Sequence, residues 1–174
     1  STGTDWFIYD FSRVYVPVSG LLTTKTWLAE LAAGKSYITN GPLLEFSVNN
    51  KPIGESLAVA IGDELRIVGQ AVGRNDFRQI ELIHSGRVIH SVNTRRNERH
   101  FVADLNYSLR VDGPSWLALR VSPTAGQNEF GKPQFAHTSP IYITVNKKKK
   151  YRTDIARELL TEMDIQLVVL GSGE

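Results

Sequence analysis

Hydrophobic and polar positions alternate through much of the middle of this chain. Leu44, Phe46 and Val48 are interleaved with Glu45, Ser47 and Asn49, a period of two that puts one face of an extended segment in a core and the other in solvent. Phe101, Ala103, Leu105, Tyr107 and Leu109 form the longest such run, which Val111-Asp112-Gly113-Pro114 ends. Residues 115–121 start the next strand, with Trp116 at its head expected in the core, and residues 141–145 form a last one. Residues 80–84 and 87–92 flank Ser85-Gly86 as a hairpin whose glycine supplies a positive φ, and Asn49-Asn50-Lys51-Pro52 is a turn. Glycines 69 and 73 sit in strand-like sequence, where they mark a bulge or close packing. Short strands at about 8–12-residue spacing, with no helical pattern between Pro42 and Pro140, predict a mainly β fold: an antiparallel β-sandwich, immunoglobulin-like or similar.

Two helices flank this sheet region. One spans about 25–33, with Trp27, Leu28 and Leu31 on one face and Gly34 where the chain leaves in a left-handed conformation. In the other, Ile155, Leu159 and Met163 recur every four residues, Ala156 and Leu160 widen the stripe, and Asp154 complements the dipole of the first turn. Residues 165–170 read as one more strand after it.

Composition narrows the chemistry. At 174 residues and 41% hydrophobic, the chain is long enough for one self-sufficient core. It has no cysteine, which excludes disulfides and thiolate chemistry and leaves the compartment open. No run approaches the roughly 20 apolar residues that span a bilayer, and the first residues lack a signal-peptide layout, so no membrane partner is expected. Lys147, Lys148, Lys149, Lys150 and Arg152 hold five of the 20 basic residues, which leaves 15 against 18 acidic ones, a body charge of −3. Basicity concentrated in one short run with only Tyr151 beside it is a solvated link, so no nucleic-acid partner is expected either.

Catalytic patterns are sparse. The four histidines, 84, 90, 100 and 137, belong to no short ligand motif. His84 and His90 flank the hairpin turn, and a turn closing beside them would bring two rings toward a shared ion, still one or two ligands short of a metal site. His137 lies in a loop entering the last strand, as a structural hydrogen-bonding residue. There is no GxSxG and no glycine-rich phosphate loop, so neither a catalytic nor a cofactor-binding residue is assigned.

Four phrases occur in order: Ala33-Gly34-Lys35-Ser36-Tyr37-Ile38-Thr39-Asn40-Gly41-Pro42, Leu44 to Gly54, Ser115-Trp116-Leu117-Ala118-Leu119-Arg120-Val121, and Ala136-His137-Thr138-Ser139-Pro140-Ile141-Tyr142. With Ile80 to Gly86 they resemble the carboxy-terminal part of PHP-type (polymerase and histidinol phosphatase) metallohydrolases of the CehA/McbA kind, from about Gly3 to the second helix. The resemblance implies that Gly3-Thr4-Asp5 and Arg13-Val14-Tyr15-Val16 close an upstream catalytic domain, with Asp5 a metal ligand severed from its partners. It further implies that residues 1–22 are the remnant of that domain, 23–146 the sandwich with its leading helix, and 147–174 a basic linker, helix and tail. The parent would use zinc, manganese or iron to activate water at a phosphoester, ester or carbamate-like bond; this part would carry no cofactor. Lys35 stands where the family pattern has arginine, and lysine lacks the bidentate fork that clamps phosphate.

On this reading the chain is a non-catalytic accessory β-sandwich whose partner is the upstream catalytic domain of the same parent. Trp6, Phe7, Ile8, Tyr9 and Phe11 would then be uncovered, either mobile or buried against a second copy in a dimer. The alternative is a stand-alone carbohydrate- or surface-binding module with Trp6, Trp27, Tyr37 or Tyr107 as stacking platforms. A flat row of solvated aromatics would favour that module; aromatics gathered near the first helix favour docking.

Overall fold

The computed structural model describes residues 12–124, 126–128, 130–148 and 153–171, with no side chain described beyond 167. In chain order its elements are β1 (Arg13–Tyr15), α1 (Thr24–Ala32), β2 (Tyr37–Thr39), β3 (Leu43–Val48), β4 (Lys51–Pro52), β5 (Ser56–Val59) and β6 (Glu64–Gly73). There follow β7 (Gln79–His84), β8 (Arg87–Asn93), β9 (Arg95–Asn97), β10 (His100–Arg110), β11 (Ser115–Val121), β12 (Ala136–Thr138), β13 (Ile141–Val145) and α2 (Thr153–Gly171).

The strands form two sheets. The smaller has the order β4-β3-β6-β10-β9 and is antiparallel throughout. The larger has eight strands built around β11, which pairs with β7 along one edge and with β13 and then β12 along the other. Ser139 and Pro140, between β12 and β13, let the chain leave one half of this edge and rejoin the other, a break proline tolerates because it has no N–H to donate. One pairing departs from the antiparallel expectation: β5 lies parallel to β13. The β-sandwich with two helices is otherwise as the alternation predicts.

The core is the sum of the inward faces. Leu44, Phe46 and Val48 on β3, Leu65, Ile67 and Ala71 on β6, and Ala103 and Leu105 on β10 meet Ile80, Leu82, Leu117, Leu119, Val121, Ile141 and Ile143 of the larger sheet. Gly69 interrupts the apolar series for a steric reason: a Cβ there would stand 3.2 Å from Leu119 Cδ2, so the missing side chain makes room for the leucine.

Local chemistry explains the turns and ends. Asn49 (φ 48°) and Asn50 (φ 62°) form the two-residue link closing Val48 onto Lys51, with both residues left-handed as such hairpins require. Ser85 (φ 49°) and Gly86 (φ 89°) repeat the device between β7 and β8. Helix α1 starts at Thr23, whose hydroxyl accepts from the Thr26 N–H while the Thr26 hydroxyl accepts from the Thr23 N–H, and Gly34 (φ 74°) ends it.

Three expectations are corrected, and α1 adds an observation of its own. Trp116 is half-buried on the outer face of the larger sheet, because the inward residues of β11 are Leu117, Leu119 and Val121. Residues 165–170 continue α2, whose apolar stripe extends the helical period into a segment that β-branched and leucine residues made strand-like. His137 stands in β12 rather than in a loop. The apolar face of α1 is not packed away: Trp27 and Leu31 are half-buried, Leu28 is exposed, and no α1 residue is fully buried.

Candidate functional site

The phrases far apart in sequence meet at one end of the sandwich. Gly54 (φ 80°) passes so close to the turn after α1 that a Cβ on it would lie 2.5 Å from the Gly34 carbonyl oxygen. The Gly54 N–H donates to the Pro140 carbonyl at 3.1 Å and the Ser139 N–H to the Ser36 carbonyl at 2.9 Å, so the 34–36, 54 and 139–140 segments form one knot. Lys35 bridges it from above, its ammonium 3.0 Å from Glu30 and 3.9 Å from Glu55. The hydrogen bond and charge of Glu30 raise the Lys35 pKa, with Glu55 adding less. Lys35 is thus occupied as an internal tie between α1 and the β4–β5 turn.

The Thr39-Asn40-Gly41-Pro42 phrase is a clamp. The buried Thr39 hydroxyl accepts from the Gly41 N–H at 2.9 Å and donates to the Pro42 carbonyl at 2.7 Å. Asn40 donates through Nδ2 to the Pro133 carbonyl and accepts through Oδ1 from the Phe135 N–H, each at 2.8 Å. Its own N–H reaches the Phe135 carbonyl at 3.1 Å. These bonds fasten the β2–β3 link to the segment leading into β12, and they account for asparagine there without invoking a substrate.

Beside the knot, a cleft of about 450 Å³ opens between the edge strand β1 of the larger sheet and β3 of the smaller. Tyr15 and Tyr37 line it as a parallel pair with centroids 5.2 Å apart, opposite Leu44, Phe46, Pro52 and Ile53. Burial raises the Tyr37 pKa, the Leu44 backbone opposes this through a hydrogen bond, and nearby Tyr15 and Glu45 add to the rise. The lining of the cleft is mostly apolar, with Glu45 the charged residue among it.

The outer face of the larger sheet carries a polar row. Glu81, Arg120 and His137 are register neighbours across β7, β11 and β12. Glu81, nearly buried, accepts from Arg120 Nη2 at 2.6 Å and Nε at 2.8 Å through one oxygen. Local crowding lowers the His137 pKa below 6.5, Arg120 adds to this, and the Thr138 backbone opposes it. The His137 residue as a whole is exposed, so solvent moderates the effect. A histidine whose protonated form is disfavoured in the fold contributes stability fully present above about pH 6.5 and lost progressively as pH falls from there through the lower folded value. The wild-type melting temperature is therefore expected to fall further than that of His137→Gln between about pH 7 and pH 5.5, by no more than about 2 °C. Differential scanning calorimetry of both proteins across that range checks it. Asp104, held low first by the Gln70 hydrogen bond and then by Arg95, acts only below about pH 3.8 and leaves the window clear.

The other sequence candidates disperse. His90 pairs in register with Leu82 and His84 with Arg87, so the two rings do not face each other across the hairpin. His90 instead stacks on Tyr107 of the opposite sheet with centroids 4.9 Å apart, which removes Tyr107 as a free platform. Trp27 is half-buried on α1. Asp5, the Trp6–Phe11 stretch and, from the basic run, Lys149, Lys150 and Arg152 lie outside the described residues. Among the described residues no three His, Asp or Glu side chains stand close enough to share a metal ion, and no described helix is long and apolar enough to cross a membrane. The donor set of the described residues does not fit the metals that the sequence resemblance implies for a parent enzyme.

The fold and its end-knot thus define a β-sandwich domain with an aromatic-walled cleft. Comparison with protein-family models, curated proteins and solved structures returned no match.

Proposed function

We propose that this chain is a non-catalytic accessory β-sandwich of a larger metal-dependent hydrolase of the PHP type, docked to its catalytic domain through the end that carries α1. The observation supporting this reading is the unburied apolar surface there: Leu21 is 81% exposed, Leu22 69% and Leu28 51%, on and just before a helix that buries no residue completely. Contiguous exposed leucines on a domain with a complete core of its own are suited to a neighbouring surface. Trp27, half-buried on α1 itself, adds an aromatic side chain to that surface.

Two measurements test it. Expressed behind the upstream coding sequence, the domain should show hydrogen-exchange protection over residues 20–33 that is missing from the chain alone; equal exchange in both would refute docking through α1. The isolated chain should retain no stoichiometric zinc, manganese or iron after dialysis and turn over no generic phosphoester above a buffer blank. Bound metal or turnover would assign catalysis to this domain and end the accessory reading.

The cleft favours a second reading, a ligand-binding module. A pyranose ring on the exposed face of Tyr15 would be the simplest occupant. Tyr15→Ala, with a glycan panel read by chemical-shift perturbation, separates the two: binding lost in the variant supports the module, and a silent panel favours docking.

A further inference from the structure

The charge count along the chain places its basicity in the 147–152 run, yet the folding of a net-acidic body assembles a second basic centre at the opposite end of the sandwich from α1. Two loops build it. The β6–β7 link supplies Arg74 and Arg78, and the β8–β10 region supplies Arg95, Arg96 and Arg99, against only Asp76 and Glu98. Phe101 of β10 pairs with Gly73 on one side and Arg96 on the other, which sets Arg96 and the Arg74 loop two strand spacings, about 10 Å, apart. The Thr94 N–H donates to the Arg78 carbonyl at 2.8 Å and binds the loops together.

All five arginines are exposed. Arg95 is tied to Asp104 at 2.7 Å, and among the described residues no carboxylate lies within 4.0 Å of Arg74, Arg78, Arg96 or Arg99. The Asp76 carboxylate is engaged through Oδ1, accepting from the Arg78 N–H at 2.8 Å and the Thr94 hydroxyl at 2.6 Å. Arg78 also holds a left-handed backbone (φ 61°), which costs a non-glycine residue about 1–2 kcal/mol. The Asp76 carboxylate and the Thr94 N–H pin that conformation, and the residue lines a polar groove of about 460 Å³ with Asp76, Thr124 and Gln127. A glycine would occupy this backbone at no cost, so what the arginine contributes is its side chain.

We propose that this end binds a polyanionic chain through its oxyanions, and that the class it fits is an acidic polysaccharide. The cations are guanidinium groups, which engage carboxylate and phosphate oxyanions alike in bidentate fashion, so the choice between the two rests on stacking. Base stacking has little to work on: Phe101 is half-buried and packed against the core, and His100 is the one exposed aromatic within these loops. The proposal is independent of the accessory-domain reading and uses the opposite end of the domain.

The test titrates the intact chain with polygalacturonate, neutral dextran and single-stranded oligothymidylate. Polygalacturonate should bind, dextran should not, and affinity should fall by roughly 10–100-fold between about 50 and 200 mM salt for four guanidinium contacts. Arg78→Gly should fold as stably as wild type or better, and combined with Arg96→Ser should weaken binding about tenfold or more. Replacing Lys147 to Lys150 by serine should change it less than about threefold. Loss of binding on the lysine replacement, or unchanged binding in the arginine variant, would overturn the site; tighter binding of the oligonucleotide at equal salt would overturn the polysaccharide and make the ligand a nucleic acid.

Discussion

Leu119→Ala is expected to destabilise the domain by about 3–5 kcal/mol, the upper range for truncating a buried leucine. Leu119 is fully buried, sits at the centre of β11 between β7 and β12, and fills the space that Gly69 leaves on the facing sheet. The surroundings are poorly able to collapse: the Leu119 N–H is held by the buried Thr138 hydroxyl at 3.0 Å, and two sheets fix the walls. Urea unfolding should show a lowered midpoint with an unchanged slope. Trp116→Ala, one face over on the same strand, should cost only about 1 kcal/mol because the indole is half-buried outside the core. If the tryptophan change proves the more damaging, the facing of β11 is wrong.

Gly54→Ala should cost about 2–4 kcal/mol from two sources that act together. The residue holds a φ of 80°, which strains any side chain, and the new methyl would meet the Gly34 carbonyl oxygen at 2.5 Å, a backbone atom with nowhere to retreat. Relief requires parting the knot, which puts at risk the bonds from Gly54 to Pro140 and from Ser139 to Ser36. Gly86→Ala is the matched control: its φ is 89° but nothing lies within 4 Å of its added methyl, so it should lose only the conformational part, about 1 kcal/mol. Thermal unfolding of the two variants side by side separates clash from backbone strain. Equal losses would show that the Gly34–Gly54 approach is looser than drawn.

The alternation at Leu44, Phe46 and Val48, and again at Ala103 and Leu105, was sufficient to place these residues in the core, because a period of two fixes which face a strand buries. The turns at Asn49-Asn50 and Ser85-Gly86 were equally legible, since few residues tolerate a positive φ. Strands β1, β2, β9 and β12 are three residues each, too short to show a period, and they exist because longer neighbours offer hydrogen-bonding edges. β11 misled for a related reason: Trp116 to Val121 is apolar on both faces, so periodicity could not tell the inward leucines from the outward tryptophan.

Local sequence determined that this chain is a sandwich, where most strands run and how its hairpins turn. Only the tertiary structure decided what its motifs do: that Asn40 clamps a loop 93 residues away, that Lys35 is tied to Glu30 and Glu55, and that Tyr107 lies under His90. It also turned a body with more carboxylates than basic groups into one with an arginine-rich end. The physical reason is that periodicity and turn chemistry act over a few residues, whereas a site is made where strands distant in sequence come into register. That register is chosen by the packing of the whole core.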